Sequence, residues 1–309
     1  MKILLLGAQG QLGHELLRVL HGQAEVRPVA RQPIPGWPET LVTDLASAAR
    51  WDQVWPQFDA DLIINAAAYT AVDAAEDDVE NAELLNQHLP ASLAQHAANT
   101  GAKLIHVSTD YVFPGDADQP YQEHDRTGPS SVYGRTKLAG EQAILNSAAD
   151  ALIVRTSWVY SGRRQNFVRA MLSRMLRQQP LKVVADQYGC PTWARDLAQG
   201  LAHVAQSWPQ VGTLTEAEQR VFHLAGADMG SWYDFAQHIA QAAVELKLLA
   251  EAPELSPITT TEFPVKAPRP AWSVLDSSRF AQQFGYRAGG WKSLYACLEE
   301  LKEARCWFP

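Results

Sequence analysis

Short apolar runs alternate with stretches of helical periodicity through the first half of the chain. Runs of this length with no polar alternation are typical of strands buried on both faces. The run at residues 3–6 is wholly apolar, and those at 26–30, 61–65, 103–107 and 152–155 are largely apolar, with polar residues such as Arg27 and Asp61 among them. Helical patterns lie between them at 12–20, 73–99 and 132–146, and the second of these contains Pro90, where we expect it to break or restart. The alternation predicts an α/β protein with a Rossmann-type, doubly wound parallel sheet.

The character of the chain changes after Trp158. Proline becomes frequent, and shorter elements are separated by loops. Helical patterns recur at residues 167–176, 194–206, 232–249 and 294–304. We therefore predict an NAD(P)-binding Rossmann domain at 1–160 and a smaller C-terminal substrate-binding lobe at 161–309, interleaved with the last strands of the sheet.

Composition narrows the possible partners and compartments. The 309 residues are 47% hydrophobic and carry a net charge of −8, which argues against a nucleic-acid groove or an anionic membrane surface. The apolar start reaches Gly7 too soon for a signal peptide, and no run approaches transmembrane length. We expect a cytoplasmic protein. Cys190, Cys297 and Cys306 show no close pairing and the histidines no ligand spacing, so no metal site is predicted.

The glycines that follow the first apolar run indicate a nucleotide site. Gly7, Gly10 and Gly13 are spaced Gly-x-x-Gly-x-x-Gly between a buried strand and a helix. Glycines allow a tight turn there and let backbone amides approach a pyrophosphate at the start of the helix. The pattern predicts a dinucleotide site, although the same spacing also occurs in purely structural turns.

The residue after the second strand bears on which dinucleotide binds. Arg31 stands here, 18 residues after Gly13, where an acid would bind a ribose 2′-hydroxyl and an arginine accommodates a 2′-phosphate. The sequence therefore favours NADPH over NADH, with NADH possible as a second cofactor. A solvated surface arginine is the alternative interpretation of Arg31.

Three residues could converge on a substrate carbonyl. Tyr133 and Lys137 are four apart, which places them one turn apart on the same face of a helix. A nearby ammonium lowers the pKa of a phenol, which is otherwise near 10. Thr109 ends a strand 24 residues before Tyr133, and strand ends line the ligand crevice of an α/β sheet. We predict that Thr109 binds the oxygen, Tyr133 gives the proton and Lys137 tunes Tyr133 and holds the nicotinamide ribose.

These motifs together resemble the extended short-chain dehydrogenase/reductase superfamily and, within it, the dTDP-4-dehydrorhamnose reductases. Five segments carry the resemblance: NAAAYTAVD at 65–73, STDYVFPG at 108–115, YGRTKLAGE at 133–141, RTSWVY at 155–160 and DQYG at 186–189. The resemblance implies reduction by NADPH of the 4-keto group of dTDP-4-dehydro-L-rhamnose, in the synthesis of dTDP-L-rhamnose. The implied partner is this small nucleotide sugar.

The resemblance also assigns site residues. It implies cofactor contacts at Gly10, Gln11, Leu12, Asp44, Leu45, Ala68, Tyr69 and Thr70. It implies substrate contacts at Thr109 and Asp110 and packing of Trp158 against the sugar. We add Asn166 and Arg269 as candidate polar or diphosphate contacts, with a surface position as the alternative for Arg269.

Two departures from the family pattern affect the cofactor and the oligomer. Many relatives have an acid where this chain has Arg31. Some relatives form dimers through magnesium held by glutamates of the C-terminal lobe. Glu299 and Glu300 could contribute to such a site, but Arg195 stands where another of the acids would align. A Mg²⁺ ion at a dimer interface is therefore doubtful, and the sequence leaves monomer and homodimer open.

Two other functions fit the same fold. One is a nucleotide-sugar epimerase or dehydratase, but 4,6-dehydratases of this kind follow their threonine with Asp-Glu, whereas Asp110 is followed here by Tyr111. The other is a non-catalytic, NADP(H)-binding regulatory subunit. Such proteins often lose part of the catalytic set, which this chain retains.

Overall fold

The computed structural model describes residues 1–211 and 220–304. Its strands are β1 Lys2–Leu6, β2 Glu25–Ala30, β3 Leu41–Val42, β4 Leu62–Asn65, β5 Lys103–Thr109, β6 Ala151–Thr156, β7 Val159–Tyr160, β8 Leu181–Val184, β9 Tyr188–Gly189, β10 Thr192–Trp193, β11 Val221–His223, β12 Gly230–Ser231 and β13 Leu255–Ile258. Seven of them form one parallel sheet in the order β11-β6-β5-β4-β1-β2-β3. The predicted doubly wound parallel sheet is confirmed.

Some helices cover the two faces of this sheet, and others pack together in the second half of the chain. The helices are α1 Gln11–Leu20, α2 Trp51–Val54, α3 Val72–Ala75, α4 Val79–Glu83, α5 Leu89–Thr100, α6 Val132–Leu145, α7 Phe167–Met175, α8 Ala194–Val211, α9 Trp232–Glu245, α10 Ser278–Phe284 and α11 Trp291–Ala304. A π-helical turn, Leu84–His88, joins α4 to α5. Within the described ranges, none of these helices has the length and apolarity needed to cross a membrane.

The order in which strands are added to the sheet reverses between β1 and β4. The chain builds outward from β1 to β3 on one side, then returns through β4 and continues to β5, β6 and β11 on the other. Ligands of open α/β sheets bind in the crevice beyond the carboxyl ends of the strands at such a switch point. Leu6 and Asn65 are register partners at these ends, so the crevice opens just beyond them.

Burial explains why the first strand is a continuous apolar run. Ile3 and Leu5 belong to a core that includes α1, α8 and α10, whereas Leu4 and Leu6 belong to a core on the opposite face, with α5. All four side chains are fully buried. A strand covered on both faces has no solvent side on which polar residues would be favoured.

The second half of the chain has a core of its own and also returns to the sheet. Side chains of α7, α9 and α11 pack together around Phe235, Met175 and Leu298. Strand β11 comes from this half and pairs with β6 at the sheet edge. The domain boundary at residue 160 stays a prediction.

The segment predicted as one helix at 73–99 is divided differently. Helix α3 ends at Ala75, α4 begins at Val79, and the π-helical turn precedes α5. Pro90 lies in the first turn of α5, where its missing N–H leaves no helical bond unmade. The hydrogen-bonding pattern changes just before Pro90, but the backbone stays helical from residue 79 to residue 100. The expected break at Pro90 is therefore not found, and the segment breaks at residues 76–78 instead.

Candidate active site

The glycine-rich turn joins β1 to α1 and lies against the end of β4. Gly7 has φ = +74°, a left-handed conformation that glycine adopts without steric cost. A Cβ atom on Gly7 would lie 2.6 Å from the Ala66 carbonyl oxygen, and one on Gly13 would overlap the Gly7 carbonyl. Gly10 precedes α1 without a side-chain cap. This helix start can therefore offer its backbone amides to a phosphate, and the turn fits a dinucleotide.

Gln11 and Leu12 follow Gly10, but their side chains make contacts within the protein. Leu12 is part of the core. Gln11 Oε1 accepts hydrogen bonds of 2.9 Å from Ser161 Oγ and Asn166 Nδ2. Asn166 Oδ1 caps α7 by accepting from Arg169 N at 3.2 Å. The structure thus gives Asn166 a capping role that the sequence did not indicate, and its contact with substrate stays a prediction.

The residues proposed for the adenosine side lie at the ends of β2 and β3. Gln9 Nε2 donates to the Gln32 carbonyl at 3.1 Å, which holds the end of β2 beside the glycine-rich turn. Arg31 is exposed at this point. Asp44 is also exposed and accepts from a backbone amide two residues later, and Leu45 packs into the core. The geometry brings Arg31 and the turn to the same edge of the sheet.

The loop that follows β4 contains Ala68, Tyr69 and Thr70 and is held by one buried asparagine. Asn86 Oδ1 accepts from Tyr69 N at 2.9 Å, and Asn86 Nδ2 donates to the Tyr69 carbonyl at 3.1 Å. The same Nδ2 also lies 3.1 Å from Thr136 Oγ1 on α6. Asn86 therefore fixes the predicted nicotinamide-side loop against the helix that carries Tyr133 and Lys137.

Helix α6 begins with two caps. Ser131 Oγ accepts from Gly134 N at 3.1 Å, and Glu76 Oε1 accepts from Val132 N at 2.8 Å. Both satisfy amides that the first helical turn leaves without partners. The carboxylate also interacts favourably with the positive end of the helix. These contacts set the position of the first turn, where Tyr133 lies.

Two glycines let α6 approach its neighbours closely. A Cβ on Gly134 would overlap the Tyr111 carbonyl, and a Cβ on Gly140 would overlap the Asn86 carbonyl. Neither glycine has positive φ, so close approach rather than backbone conformation requires them. The helix is therefore packed directly on the loop after β5 and on the π-helical turn.

Tyr133 is buried beside Thr109. Burial raises the pKa of Tyr133 to about 12, the Thr109 hydroxyl partly offsets this rise, and Asp110 adds to it. The Tyr111 ring lies edge-on to Tyr133, with 5.5 Å between centroids. The sequence predicted that Lys137 would lower the pKa of Tyr133, and this is corrected here: burial outweighs every nearby group.

Lys137 is only 1% exposed and turns towards β5. Its Nζ donates to the Val107 carbonyl at 2.7 Å and lies 3.3 Å from His106 Nε2. Burial lowers the pKa of Lys137 to about 8, against the opposing charge of Glu141. The lysine can therefore change protonation state near neutral pH.

Asp110 is a buried carboxyl group directly after Thr109. Thr109 Oγ1 donates to Asp110 Oδ1 at 2.9 Å. Burial raises the pKa of Asp110 to about 6, although hydrogen bonds from Ser273 and Thr109 favour its charged form. A carboxylate at this depth is costly unless it has a binding partner.

Trp158 is strained and stacked. Its φ of +46° is uncommon for a residue with a side chain. The indole lies parallel to that of Trp232, with centroids 3.5 Å apart, and a Cβ on Gly189 would collide with it. A strained backbone conformation of this kind persists only where the surrounding structure holds it in place, and such positions are often at ligand sites. Packing of Trp158 against a sugar stays a prediction.

Arg269 forms an ion pair with Asp73 at the start of α3. Its NH2 donates to Asp73 Oδ2 at 2.7 Å, and the same carboxylate accepts from Ala267 N at 3.0 Å. Lys266 forms a second ion pair with Asp77 on the same side. The loop at 266–269 is thus docked on α3, and Arg269 is not a solvated surface arginine. Its contact with a diphosphate stays a prediction.

The guanidinium group of Arg195 occupies the place where the sequence analysis considered a magnesium ion near Glu300. Arg195 Nε donates to Glu15 Oε2 at 2.8 Å, and its other two nitrogens bind both oxygens of Glu300. Glu299 is exposed. This pairing joins α1, α8 and α11.

The cysteines and other candidate metal ligands do not cluster. Cys190 and Cys297 are buried free thiols. Burial raises the pKa of both thiols, to about 12 for Cys190. Cys306 lies outside the described residues. In residues 1–211 and 220–304, no group of three His, Cys, Asp or Glu side chains could hold a metal ion.

Sequence reasoning missed two buried residues of this site, Asn86 and His106. Asn86 bridges a loop and a helix that lie 17 and 50 residues away in the chain. His106 lies in the middle of β5, where the pattern indicates only a buried strand. A polar residue inside an apolar run was the one available signal for His106.

Comparison with known proteins identifies the family. The sequence profile of the RmlD substrate binding domain matches residues 1–303 of the chain. The chain belongs to this family. The resemblance inferred from the motifs is thereby confirmed.

Individual relatives of the RmlD substrate binding domain family match nearly end to end. The dTDP-4-dehydrorhamnose reductase of Burkholderia thailandensis is 38% identical over 305 residues, which cover 97% of this chain and 99% of the relative. The crystal structure of such a reductase from Clostridium acetobutylicum is 34% identical, with a TM-score of 0.84, covering 98% of this chain and 100% of that one. A dTDP-4-dehydrorhamnose reductase from Bacillus anthracis, solved in complex with NADP, is 29% identical, with a TM-score of 0.82 and coverage of 97% and 99%.

Proposed function

We propose that this chain uses NADPH to reduce the 4-keto group of dTDP-4-dehydro-L-rhamnose, giving dTDP-L-rhamnose. The observation that carries the proposal is the position of Tyr133, buried beside Thr109 and on the same helix as Lys137, in a chain of this family. The B. thailandensis relative bears the name of this activity and is matched over almost its whole length.

The reaction adds a hydride to the carbonyl carbon and a proton to its oxygen. NADPH, when bound, supplies the hydride. Tyr133 gives its hydroxyl proton to the oxygen that becomes the sugar hydroxyl. Thr109, whose hydroxyl donates to Asp110 in the free protein, turns this one donor to the same oxygen. Because the pKa of Tyr133 is about 12, the phenol is in its acid form at neutral pH. This is the form that reduction requires.

Lys137 acts on Tyr133 after the proton has left. The proton that Tyr133 gives away leaves a phenolate, which must be protonated again before the next turnover. Because the pKa of Lys137 is about 8, it is mostly protonated at pH 7 and can return a proton to that phenolate. The same ammonium group is proposed to bind the nicotinamide ribose.

The cofactor is proposed to lie along the crevice between β1 and β4. Backbone amides after Gly10 bind the pyrophosphate, and the absence of side chains at Gly7 and Gly13 keeps the turn closed. Arg31 is exposed beside this turn and is proposed to bind a 2′-phosphate, which favours NADPH over NADH. The structure of the B. anthracis relative holds NADP.

The sugar nucleotide is proposed to lie between the sheet edge and the second half of the chain. Asp110 accepts from a sugar hydroxyl, because its carboxyl group is buried beside Thr109. Trp158 packs against the sugar ring. Arg269 is proposed to bind the diphosphate, and its guanidinium group then serves both the diphosphate and Asp73.

The rival functions make different predictions for bound nicotinamide and for turnover. An epimerase or dehydratase must keep its cofactor through the cycle, so it would purify with bound NAD. Elimination also needs a second acid–base group, and Tyr111, with its pKa raised by burial, stands where dehydratases carry a glutamate. A regulatory subunit would bind NADPH without oxidising it.

The deciding experiment mixes purified protein, NADPH and dTDP-4-dehydro-L-rhamnose and follows the loss of absorbance of the reduced nicotinamide. Formation of dTDP-L-rhamnose in equal amount supports the proposal, and folded protein that consumes no NADPH refutes it. Repeating the assay with NADH and with Arg31→Ala tests the cofactor assignment. An unchanged ratio of kcat/KM for the two cofactors would remove Arg31 from it.

A further inference from the structure

His106 lies directly behind Lys137 and connects it to a second buried residue. His106 Nε2 is 3.3 Å from Lys137 Nζ, and His106 Nδ1 is 3.0 Å from Asn65 Nδ2. His106 and Asn65 are register partners on β5 and β4, and both are fully buried. Neither residue belongs to the proposed catalytic set of Thr109, Tyr133 and Lys137.

The hydrogen bonds fix which ring nitrogen of His106 carries the proton. Asn65 Oδ1 accepts from Ala67 N at 3.1 Å, and a backbone N–H can only donate. The Asn65 amide is therefore oriented with Nδ2 towards His106, so Nδ1 of the ring must accept. Burial, with the charge of Lys137, lowers the pKa of His106 far below its ordinary value, so the ring is neutral. Its one proton is on Nε2 and points at Lys137.

A donor in this position discriminates between the two forms of the lysine. An ammonium group has three donors and no lone pair, so it cannot accept a hydrogen bond from His106 Nε2–H. The neutral amine of Lys137 can accept it while still donating to the Val107 carbonyl. The contact therefore favours the amine and disfavours the ammonium group.

We propose that Asn65 and His106 are positioning residues that stabilise the neutral amine of Lys137 and so prepare this lysine to release its proton during turnover. The proposal rests on the proposed function for the reaction that Lys137 serves. His106 contacts Lys137 and Asn65 contacts His106, so the pair acts on the reaction through Lys137.

The pair acts when the phenolate of Tyr133 is reprotonated. A proton passes from Lys137 Nζ to the phenolate oxygen: an N–H bond breaks, an O–H bond forms, and the electron pair stays on Nζ. His106 Nε2–H then donates to that pair and keeps its own proton. Water returns the proton to Lys137 before the next turnover.

The other groups around Lys137 either favour its ammonium form or do not distinguish its two protonation states. Glu141, one turn further along α6, favours the ammonium group, but its carboxylate is bound by Arg155 at 2.7 Å. The Val107 carbonyl accepts from either form of the lysine. His106 is thus the neighbour on β5 whose hydrogen bond depends on the protonation state of Lys137.

The tautomer can be measured in the unmodified protein without substrate. Nitrogen NMR of ¹⁵N-histidine-labelled protein should show a pyridine-type Nδ1 and a pyrrole-type Nε2 for His106, unchanged from pH 6 to pH 8. The resonance is assigned by its loss in His106→Leu. A pyrrole-type Nδ1 would overturn the proposal whether or not the protein is the proposed reductase.

Two variants change the tautomer or remove the ring. In Asn65→Asp, one carboxylate oxygen still accepts from Ala67 N, and the other should accept from Nδ1–H, as the aspartate of a serine-protease triad does. His106 Nε2 then accepts from the ammonium group of Lys137. His106→Leu removes the donor altogether. Ile105→Val, a buried change on the other face of β5, is the matched control.

The readouts are the titration of the Lys137 ¹³Cε resonance and the pH profile of kcat. The proposed function needs the ammonium group, so activity falls as pH rises through the pKa of Lys137, and a higher pKa moves this fall to higher pH. We expect Asn65→Asp to move both midpoints up by about 1 pH unit, His106→Leu to move them less, and Ile105→Val to leave them in place. If neither of the first two variants shifts the Lys137 titration, the pair has no such role. If the titration shifts and no variant reduces the ketone, the proposed function fails instead.

Discussion

At the residue scale, burial acts on three ionisable groups of the site in the same sense, because each is driven towards its neutral form. It raises the pKa of Tyr133 to about 12 and that of Asp110 to about 6, and it lowers that of Lys137 to about 8. In water the phenol and the ammonium group are acids of similar strength. Here the ammonium group is the stronger acid, which is the order of acidity that the proposed reprotonation of Tyr133 by Lys137 requires.

Removal of the Tyr133 hydroxyl tests its role as the acid. Tyr133→Phe keeps the ring and its edge-on contact with Tyr111, so we expect the fold to be retained. Positioned proton transfer is worth about 10²–10⁴ in rate, and kcat should fall by at least that much. Tyr111→Phe removes the neighbouring buried hydroxyl and should cost less than about tenfold. A Tyr133→Phe enzyme with near-normal kcat would exclude the assignment.

We expect the charged carboxylate of Asp110 to lower the stability of the protein without substrate and to be stabilised when substrate binds. Its pKa in the folded protein is about 6, above the ordinary value, so its contribution to stability is greatest at low pH and is lost as pH rises from about 4 to 6. Asp110→Asn should therefore stabilise the free protein at pH 7 by up to about 3 kcal/mol, while raising KM for the nucleotide sugar. Denaturant unfolding at pH 4 and pH 7 measures this.

The control for that change is Asp118→Asn, which alters an exposed carboxylate on a nearby loop. It should change stability by less than about 0.5 kcal/mol at either pH. If Asp110→Asn destabilises the protein at pH 7 as much as at pH 4, its charge carries no cost in the folded state.

At the element scale, helix α6 fixes the site through its capped first turn and through its contact with the π-helical turn. Its first turn is capped by Ser131 and Glu76, and Gly140 brings it against the π-helical turn at Asn86. The loop at Tyr69 is held by the same asparagine. A shift of α6 would therefore move the loop proposed for the nicotinamide side together with Tyr133.

Gly140→Ala tests this packing. The added Cβ would overlap a backbone carbonyl, which cannot move without the π-helical turn. We expect a loss of about 1–3 kcal/mol in the free energy of unfolding, despite a gain of up to about 1 kcal/mol in helix propensity. KM for NADPH should rise. Gly128→Ala is the control, because its nearest neighbour would be 3.5 Å away and it should be nearly neutral.

Local patterns predicted these elements where the chain is periodic or carries a motif. The spacing of Tyr133 and Lys137 placed both on α6, and the glycines from Gly7 to Gly13 placed the turn. The strands of two residues, such as Thr192–Trp193, are too short to show an alternation of apolar and polar residues. Contacts such as Asn86 to Thr136 join residues 50 apart, and nothing in either neighbourhood specifies the other.

At the scale of the whole molecule, the two halves of the chain are joined by polar contacts around the crevice. Gln11, in the glycine-rich turn, accepts from Ser161, and the loop at Arg269 is docked on Asp73. The sheet class followed from alternation of elements, but these contacts did not, because each pairs residues that are distant in sequence. They tie the edge of the sheet proposed for the cofactor to the second half of the chain.

The ion pairs of Arg195 give a prediction about metals. Its guanidinium group lies between the carboxylates of Glu15, which is 3% exposed, and Glu300. A cation already satisfies both acids, so Mg²⁺ has no open site between them. We expect neither Mg²⁺ nor EDTA to change the thermal midpoint or the oligomeric state of the protein without ligands, as measured by calorimetry and light scattering.

Removal of the guanidinium group should reverse this insensitivity. Arg195→Gln leaves the buried Glu15 with only the more exposed Arg18, 3.6 Å away, as a partner, and loss of one member of a buried pair costs about 3 kcal/mol. The two freed carboxylates are oxygen ligands of the kind that Mg²⁺ prefers, so millimolar Mg²⁺ should restore part of the lost midpoint in this variant alone. Arg18→Gln, which removes a more exposed partner of the same acids, should cost less than about 1 kcal/mol. A midpoint of the unmodified protein that rises with Mg²⁺ and falls with EDTA would show that Arg195 does not replace the metal.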